Sequence, residues 1–146
     1  MSTFVPASSL PVSEVELAVV EAARSTIDAA TDAGSDEDGI HTVGAAVRSA
    51  DGTIHVGVNL HHFTGGPCAE LVALGAARAA GARHLTHITA VANHGRGVMS
   101  PCGRDRQGLA DHYPDIRVIL PSPDGLISVI AGELLPLAYD HAAQQV

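Results

Sequence analysis

Lysine and tryptophan are absent from the 146-residue chain, and aromatic residues make up only 3% of it. All 8 basic residues are arginine, and 16 acidic residues give the chain a formal net charge of -8 at pH 7. The sequence has no basic tract that could neutralise phosphates, the interaction that supplies much of the affinity of nucleic-acid-binding proteins. The acidic balance also disfavours binding to anionic membrane surfaces. We therefore expect neither nucleic acid nor a membrane as a partner.

Long apolar runs are also missing, because no window reaches the roughly 18 consecutive apolar residues of a spanning helix. The first 20 residues lack the basic start of a signal peptide, and Glu14 and Glu16 interrupt their only apolar stretch. We predict a cytoplasmic protein. Its two cysteines, Cys68 and Cys102, are then expected to stay reduced, with a single structural disulfide as the alternative.

The composition that is present predicts one folded domain, since 46% of the residues are hydrophobic and the length is typical of a single domain. Residues 1–12 are predicted to be a flexible lead-in, and residues 13–146 a single domain. Ser13 followed by Glu16 matches a capping box, which predicts that the first helix begins there. Residues 34–39, with the sequence GSDEDG, are predicted to form an acidic loop after this helix.

Strand and helix patterns alternate along the rest of the chain. Asp51-Gly52 between two strand-like runs predicts a β-hairpin formed by residues 41–50 and 53–59. The remaining predicted elements are helices over 68–82, 102–112 and 133–139 and strands over 88–93, 116–120 and 126–131. This order favours the α/β class, as a three-layer α/β/α sandwich around a five-stranded mixed sheet.

Two predicted helices begin with the same dipeptide, Pro67-Cys68 and Pro101-Cys102. Proline suits the entry to a helix, and the partial positive charge at a helix N-terminus favours a thiolate over a thiol. Two thiolates on two helix N-termini are therefore candidates to bind one cation. Glu70 follows Cys68 by two residues, and Asp105 follows Cys102 by three, which is one helical turn.

The spacing matches the signature of zinc deaminases, which is His/Cys-x-Glu followed by Pro-Cys-x-x-Cys. Cys68-Ala69-Glu70 provides the first part, and the second reads Pro-Cys-Gly-Arg-Asp, with Asp105 in the place of the last cysteine. An aspartate oxygen is an accepted zinc ligand, so the set of three protein ligands of a catalytic site is complete. The alternative is that Asp105 only complements the helix dipole and that the metal has been lost.

A longer stretch of the chain resembles the cytidine deaminase superfamily, and within it the blasticidin-S deaminases. The run His-Phe-Thr-Gly-Gly-Pro-Cys-Ala-Glu, residues 62–70, is the most specific part. The resemblance continues through Ser-Pro-Cys-Gly-Arg at 100–104, Arg-Gln at 106–107, and Glu-Leu-Leu-Pro at 133–136 with Tyr139. It covers residues 14–141.

The resemblance implies a hydrolase that acts on the C–N bond of a cytosine ring, with zinc held by Cys68, Cys102 and Asp105 and with Glu70 as the general acid and base. A water activated by zinc would attack the ring, and ammonia would leave. The other implied roles concern the substrate and the ligands: Asn59, Ser100 and Tyr139 would contact the substrate, and Arg104 would donate to the thiolates. The resemblance also implies a homotetramer and a small-molecule nucleoside as the partner.

Two departures from the family pattern leave the identity of the substrate undecided. Cytidine deaminases carry Asn-x-Glu at the ribose site, whereas this chain has Asn59-Leu60-His61, a change that disfavours plain cytidine and suits a nucleoside with a modified sugar. His61 and the neighbouring His62 are predicted to be loop residues rather than metal ligands. The replacement of a ligand cysteine by Asp105 leaves a catalytically silent nucleoside-binding protein as the alternative, and another amino-heterocycle as a further candidate substrate.

Overall fold

The computed structural model describes residues 4–32 and 39–144. Its elements belong to the α/β class that the sequence predicts. The strands are β1 (Leu10–Pro11), β2 (Val43–Ser49), β3 (Ile54–Val58), β4 (Leu85–Ala92), β5 (Gly97–Met99), β6 (Arg117–Ser122) and β7 (Gly125–Ile130). The helices are α1 (Glu14–Ala30), α2 (Ala69–Ala79), α3 (Gly103–His112) and a short 3₁₀ helix, Ala131–Leu134.

The seven strands found in the described residues belong to one mixed sheet with the order β1-β7-β6-β4-β2-β3, and β5 pairs with β4. The pair β4–β6 is parallel, whereas the other pairs are antiparallel. The prediction of five strands is therefore too low by two. The two that it lacks, β1 and β5, are only two and three residues long, and so short a segment shows no usable hydrophobic alternation.

Helices cover both faces of the sheet, which confirms the three layers. Neighbouring residues of one strand point to opposite faces, so Ala45 packs with residues of α2 and α3, and Ala46 packs with residues of α1. The first core cluster includes Ala73 of α2, Leu109 of α3, Val47, Ile88 and Val118. The second is formed by Val19, Ala23, Ala46, Val91 and Ile119.

Close packing against β3 sets the position of α2 on the sheet. A Cβ atom placed on Gly57 of β3 would lie 2.5 Å from the backbone nitrogen of Ala73. The helix can approach the sheet this closely because glycine has no side chain at that point. The start of α2, and with it Cys68, is thereby held against the sheet.

Most local signals in the sequence correspond to the structure. The capping box of Ser13 and Glu16 is present at the start of α1, and the Asp51-Gly52 turn joins β2 to β3. The short helix expected at 133–139 is instead the 3₁₀ helix at Ala131–Leu134. No helix among the described residues is long and apolar enough to cross a membrane.

Two sequence predictions concern segments that are only partly described. The acidic loop at 34–39 lies outside the described residues except for Gly39. Within the predicted lead-in, Leu10–Pro11 pairs with β7, and the backbone N–H of Ser8 donates to Glu133 over 2.9 Å. The division into a lead-in and a domain from residue 13 onward stays a prediction.

Candidate active site

The starts of α2 and α3 bring three potential metal ligands together. Cys68 is the N-cap of α2, Cys102 is the N-cap of α3, and Asp105 lies in the first turn of α3. One ligand atom from each of the three lies within 4.8 Å of the others. The convergence predicted from the two Pro-Cys dipeptides is therefore present in the fold.

The two sulfur atoms do not form a disulfide. Their Sγ atoms are 3.5 Å apart, and both cysteines are free. A disulfide bond is about 2.05 Å long, so the alternative of a structural disulfide is wrong. The two sulfur atoms remain separate potential metal ligands.

The site is crowded with acidic groups. Burial raises the pKa of the Cys68 thiol to about 12, and the neighbouring Cys102 and the charges of Asp105 and Glu70 act in the same direction. Burial and nearby carboxylates oppose the helix dipole, and a divalent cation among these groups would offset them.

Asp105 supplies a direct test of whether a metal fits this cluster. Its side chain is 2% exposed, and its Oδ1 atom is buried without a hydrogen-bond partner. A buried carboxylate oxygen without a partner is costly, and coordination of a cation would satisfy it. Two thiols and one carboxylate are also a donor set that zinc accepts. The residues present therefore fit a zinc ion.

Glu70 lies in the first turn of α2, beside the three potential ligands, and is 7% exposed. Burial raises the pKa of its carboxyl group to about 7, and the charge of Asp105 acts in the same direction. Glutamate favours the first turn of a helix because of the helix dipole. That preference explains why a glutamate occurs at position 70, but it does not explain why the side chain is buried at the pocket.

A pocket of about 320 Å³ opens above this cluster. Cys68, Cys102, Asp105 and Glu70 contribute to its lining, as does Ser100, which directly follows β5. The other lining residues are Val43, Asn59, Leu60, His61, Gly66, Pro67, Ala69 and Met99. A largely apolar cavity with a few polar groups at one end is typical of a site for a small ligand.

Asn59 lines the pocket, but its side chain is engaged with the backbone. Its Oδ1 accepts hydrogen bonds from the backbone N–H groups of Thr42 at 3.0 Å and Val43 at 3.1 Å. Its Nδ2 donates to the carbonyl of Ile40 at 2.8 Å. Asn59 thus fixes the segment that enters β2, and this role was not predicted from the sequence. A contact between Asn59 and the substrate stays a prediction.

We expect the substitution Asn59→Ala to destabilise the fold by about 1–3 kcal/mol, because it leaves two backbone donors and one acceptor without their partner. The free energy of unfolding in urea measures this effect. His61→Ala is the matched control, because it removes an exposed side chain from the same pocket wall. A loss below about 0.5 kcal/mol for Asn59→Ala, the range of ordinary surface changes, would contradict this role.

Two arginines near the site bind backbone carbonyl groups. Arg104 donates to the carbonyl of Gly66 over 3.4 Å, on the loop before α2. A hydrogen bond from Arg104 to a thiolate stays a prediction. Arg106 donates to the carbonyls of Pro101 at 2.9 Å and Leu134 at 3.1 Å. The sequence alone does not distinguish Arg106 from an exposed surface arginine, yet in the structure Arg106 binds the carbonyl group of the residue that precedes Cys102.

Tyr139 lies away from the cluster. It is 61% exposed and lines a second cavity of about 470 Å³, together with His112 of α3 and His141. Its carbonyl accepts a hydrogen bond from Gln107 over 3.0 Å. Within the described chain, Tyr139 does not line the pocket that contains Glu70. A substrate contact for Tyr139 stays a prediction.

The two neighbouring histidines differ in their surroundings. His61 lines the pocket, whereas His62 hydrogen-bonds Thr64 and stacks against Phe63 at a ring-centroid distance of 4.5 Å. The sole cluster of potential metal ligands found among the described residues includes neither histidine. This agrees with the interpretation of both as loop residues.

Comparison by sequence finds no matching protein-family model. It does find a blasticidin-S deaminase of Bacillus cereus that is 34% identical over 112 residues. The match covers 70% of this chain and 80% of that protein.

Comparison by structure finds cytidine deaminases. The enzyme from Burkholderia pseudomallei superposes with a TM-score of 0.67 at 31% sequence identity, covering 84% of this chain and 98% of that one. The enzyme from Mycobacterium tuberculosis superposes with a TM-score of 0.67 at 26% identity, covering 86% and 98%. Both matches extend over nearly the whole length of the solved chains.

Proposed function

Since this chain belongs to the cytidine deaminase superfamily, we propose that it is a zinc-dependent hydrolytic deaminase of a cytosine nucleoside or of an analogue such as blasticidin S. The products are the corresponding uracil compound and ammonia. One observation carries the proposal: the buried Glu70 lies close to Asp105 and lines the same pocket as Cys68, Cys102 and Asp105. If these residues only began two helices, neither the burial of Glu70 nor the close approach of the two sulfur atoms would be required.

In the proposed site, Cys68, Cys102 and Asp105 would hold zinc, which would supply Lewis acidity that makes water nucleophilic near neutral pH. Glu70 would take a proton from the attacking water and deliver protons to the ring nitrogen of the substrate and to the departing amine. Its position supports this role, because a general acid and base must be within hydrogen-bond reach of the reacting atoms. Burial keeps the carboxyl group of Glu70 directed at the substrate instead of at bulk water.

The other pocket residues bind and orient the substrate. Val43, Leu60 and Met99 offer apolar walls against which the faces of a base can pack. Ser100 lies beside Cys102 and is proposed to accept a hydrogen bond from the amine through its carbonyl group. Asn59 and His61 also line the pocket, and the sugar of a nucleoside is proposed to lie beside them.

The sugar side of the pocket supports a modified nucleoside in preference to plain cytidine. His61 stands where the resemblance implies a carboxylate that grips ribose, and the amide of Asn59 already binds three backbone groups. The 34% identity to a blasticidin-S deaminase supports the same substrate class. We therefore propose turnover of blasticidin S and slower turnover of cytidine.

The test is ammonia release together with the ultraviolet change that accompanies conversion of cytosine to uracil. We expect one ammonia per uracil product formed from blasticidin S, with loss of activity on chelation and recovery on addition of zinc. Saturable binding of both compounds without ammonia release, in protein that contains no zinc and takes up none when zinc is added, would instead support the silent binding protein. That alternative needs testing because Asp105 stands where the zinc deaminase signature has a cysteine.

The homotetramer and the cytoplasmic location are parts of this proposal. Exposed apolar side chains support an assembly, because Phe63 is 90% exposed and Leu60, on the pocket wall, is 55% exposed. Light scattering on the purified protein is expected to give four times the 14.9 kDa of one chain. A monomeric mass at micromolar concentration would contradict the assembly without affecting the proposed chemistry.

A further inference from the structure

The two oxygen atoms of the Asp105 carboxylate have different surroundings. Oδ2 accepts a hydrogen bond from the backbone N–H of Cys102 over 3.3 Å and lies 3.2 Å from the Cys102 sulfur. Oδ1 is buried and has no hydrogen-bond partner. One oxygen of this side chain therefore accepts from the helix backbone, whereas the other has no N–H or thiol donor, and the carboxyl group of Glu70 lies close to this carboxylate.

The bond to Oδ2 is one half of a capping box. Cys102 is the N-cap of the ten-residue helix α3, and Asp105 is its third residue, N3. In a capping box the N3 side chain reaches back to the N–H group of the N-cap, which has no partner within the helix. The Asp105 side chain is thereby held in one orientation before any metal binds.

A cysteine at position 105 would lack this second role. Its side chain is shorter, and a thiol sulfur is a weak acceptor of hydrogen bonds. It would supply a zinc ligand but leave the N–H of Cys102 without its capping partner. The aspartate is thus more than a replacement that preserves the charge of a thiolate.

We propose that Asp105 performs two functions at once, capping α3 through Oδ2 and binding the metal through Oδ1. This inference rests on the proposed zinc site and extends it to the donor atom. The metal is held by a carboxylate that the helix has already oriented. Cys102 links the two functions, because its sulfur is a ligand and its N–H group is the one that Asp105 caps.

A pair of substitutions separates the two functions. Asp105→Asn keeps an oxygen that can accept from the Cys102 N–H but loses the charged ligand, whereas Asp105→Cys keeps a ligand but loses the cap. Both remove the carboxylate next to Glu70, so the two variants form a matched pair. In protein stripped of metal, we expect Asp105→Cys to unfold about 3 °C below Asp105→Asn, which is the usual effect of losing one cap.

Zinc affinity, measured by competition with a chromophoric chelator, should show the opposite order. We expect Asp105→Cys to bind zinc at least as tightly as the parent, and Asp105→Asn at least about 100-fold more weakly, since even outer residues of metal sites change affinity by about 10–100-fold. Hydrogen exchange of the Cys102 amide is expected to be slow in the parent with and without zinc, and fast in Asp105→Cys.

Each readout can overturn the inference, and none uses a substrate. Equal zinc affinity of Asp105→Asn and the parent would remove Asp105 from the ligands. Equal melting temperatures of the two metal-free variants would show that Asp105 does not cap α3. Faster exchange of the Cys102 amide on zinc loading would show that one oxygen of Asp105 serves both functions. Failure of the zinc-loaded parent to release ammonia from cytosine compounds would instead overturn the proposed function alone.

Discussion

Replacing Glu70 with glutamine is expected to lower the rate of deamination by about 10²–10⁴-fold, the usual contribution of a general acid and base. Glutamine has the same shape but cannot accept and return a proton. Initial rates of ammonia release from blasticidin S and cytidine measure the loss. Retention of about one zinc per chain should accompany it, because Glu70 is proposed to act on the substrate and not to bind the metal.

Two controls separate this effect from a loss of structure. Glu14→Gln changes an exposed glutamate in the first turn of α1 and should retain the parent rate. Glu70→Gln itself should melt at or above the temperature of the parent, because it removes a buried carboxyl group that lies close to Asp105. A Glu70→Gln rate within threefold of the parent rate would exclude Glu70 as the proton carrier.

Cys102→Ser is expected to abolish both zinc binding and activity. The chain has two cysteines, so no third thiol can replace the lost ligand. Loss of one of three ligands should weaken zinc binding more than the roughly 10–100-fold caused by changes outside the ligand set. Zinc content after dialysis against a weak chelator, and the rate with zinc restored, are the two measurements.

Thermal unfolding provides the second readout for Cys102→Ser. A metal that binds only the folded state stabilises it by mass action. Chelation should therefore lower the melting temperature of the parent and leave that of Cys102→Ser unchanged. Asp115→Asn, an exposed change just after α3, should respond to chelation as the parent does. A Cys102→Ser protein that keeps its zinc would contradict the assignment of Cys102 as a ligand.

The sequence was sufficient to predict those parts of the fold that local signals specify. Ser13 and Glu16 form the capping box, and Asp51-Gly52 forms the turn of the β2–β3 hairpin. These features depend on residues within a few positions of one another, so their physical causes can be seen in a short window. The α/β class followed from the alternation of such windows.

The two short strands depend on contacts that no local window contains. Leu10 pairs with Ser128 of β7, and Val98 of β5 pairs with Val91 of β4. Gly95 precedes β5 and Gly97 begins it, both at positive φ, so this segment looks like a plain loop in the sequence. These strands form because the folded sheet offers an edge to pair with, so the sequence could not reveal them.

The candidate site shows the same division. The spacing of Cys68, Glu70, Cys102 and Asp105 identified the cluster, because the helix starts that hold it are local. The engagement of Asn59 with the segment before β2 required the fold, because its hydrogen bonds reach backbone groups 16 to 19 residues away. The capping role of Asp105 is a local contact over three residues, but cysteine is not a usual N-cap residue, so the capping pattern was not visible in the sequence.

The sequence also does not predict which backbone segments approach each other closely. A Cβ atom on Gly66 would lie 1.8 Å from the carbonyl oxygen of Leu60, so only glycine fits the loop that leads to Cys68. Gly65-Gly66 in the sequence indicates a turn, but it does not indicate which backbone passes beside it. The path of this loop decides where Leu60 and His61 line the pocket.

The zinc content of the purified parent protein, measured by elemental analysis without added metal, decides whether Cys68, Cys102 and Asp105 form a metal site. We expect about one zinc per chain. A value near zero that added zinc does not raise would show that the three side chains form no metal site and that the proposed hydrolytic chemistry has no centre.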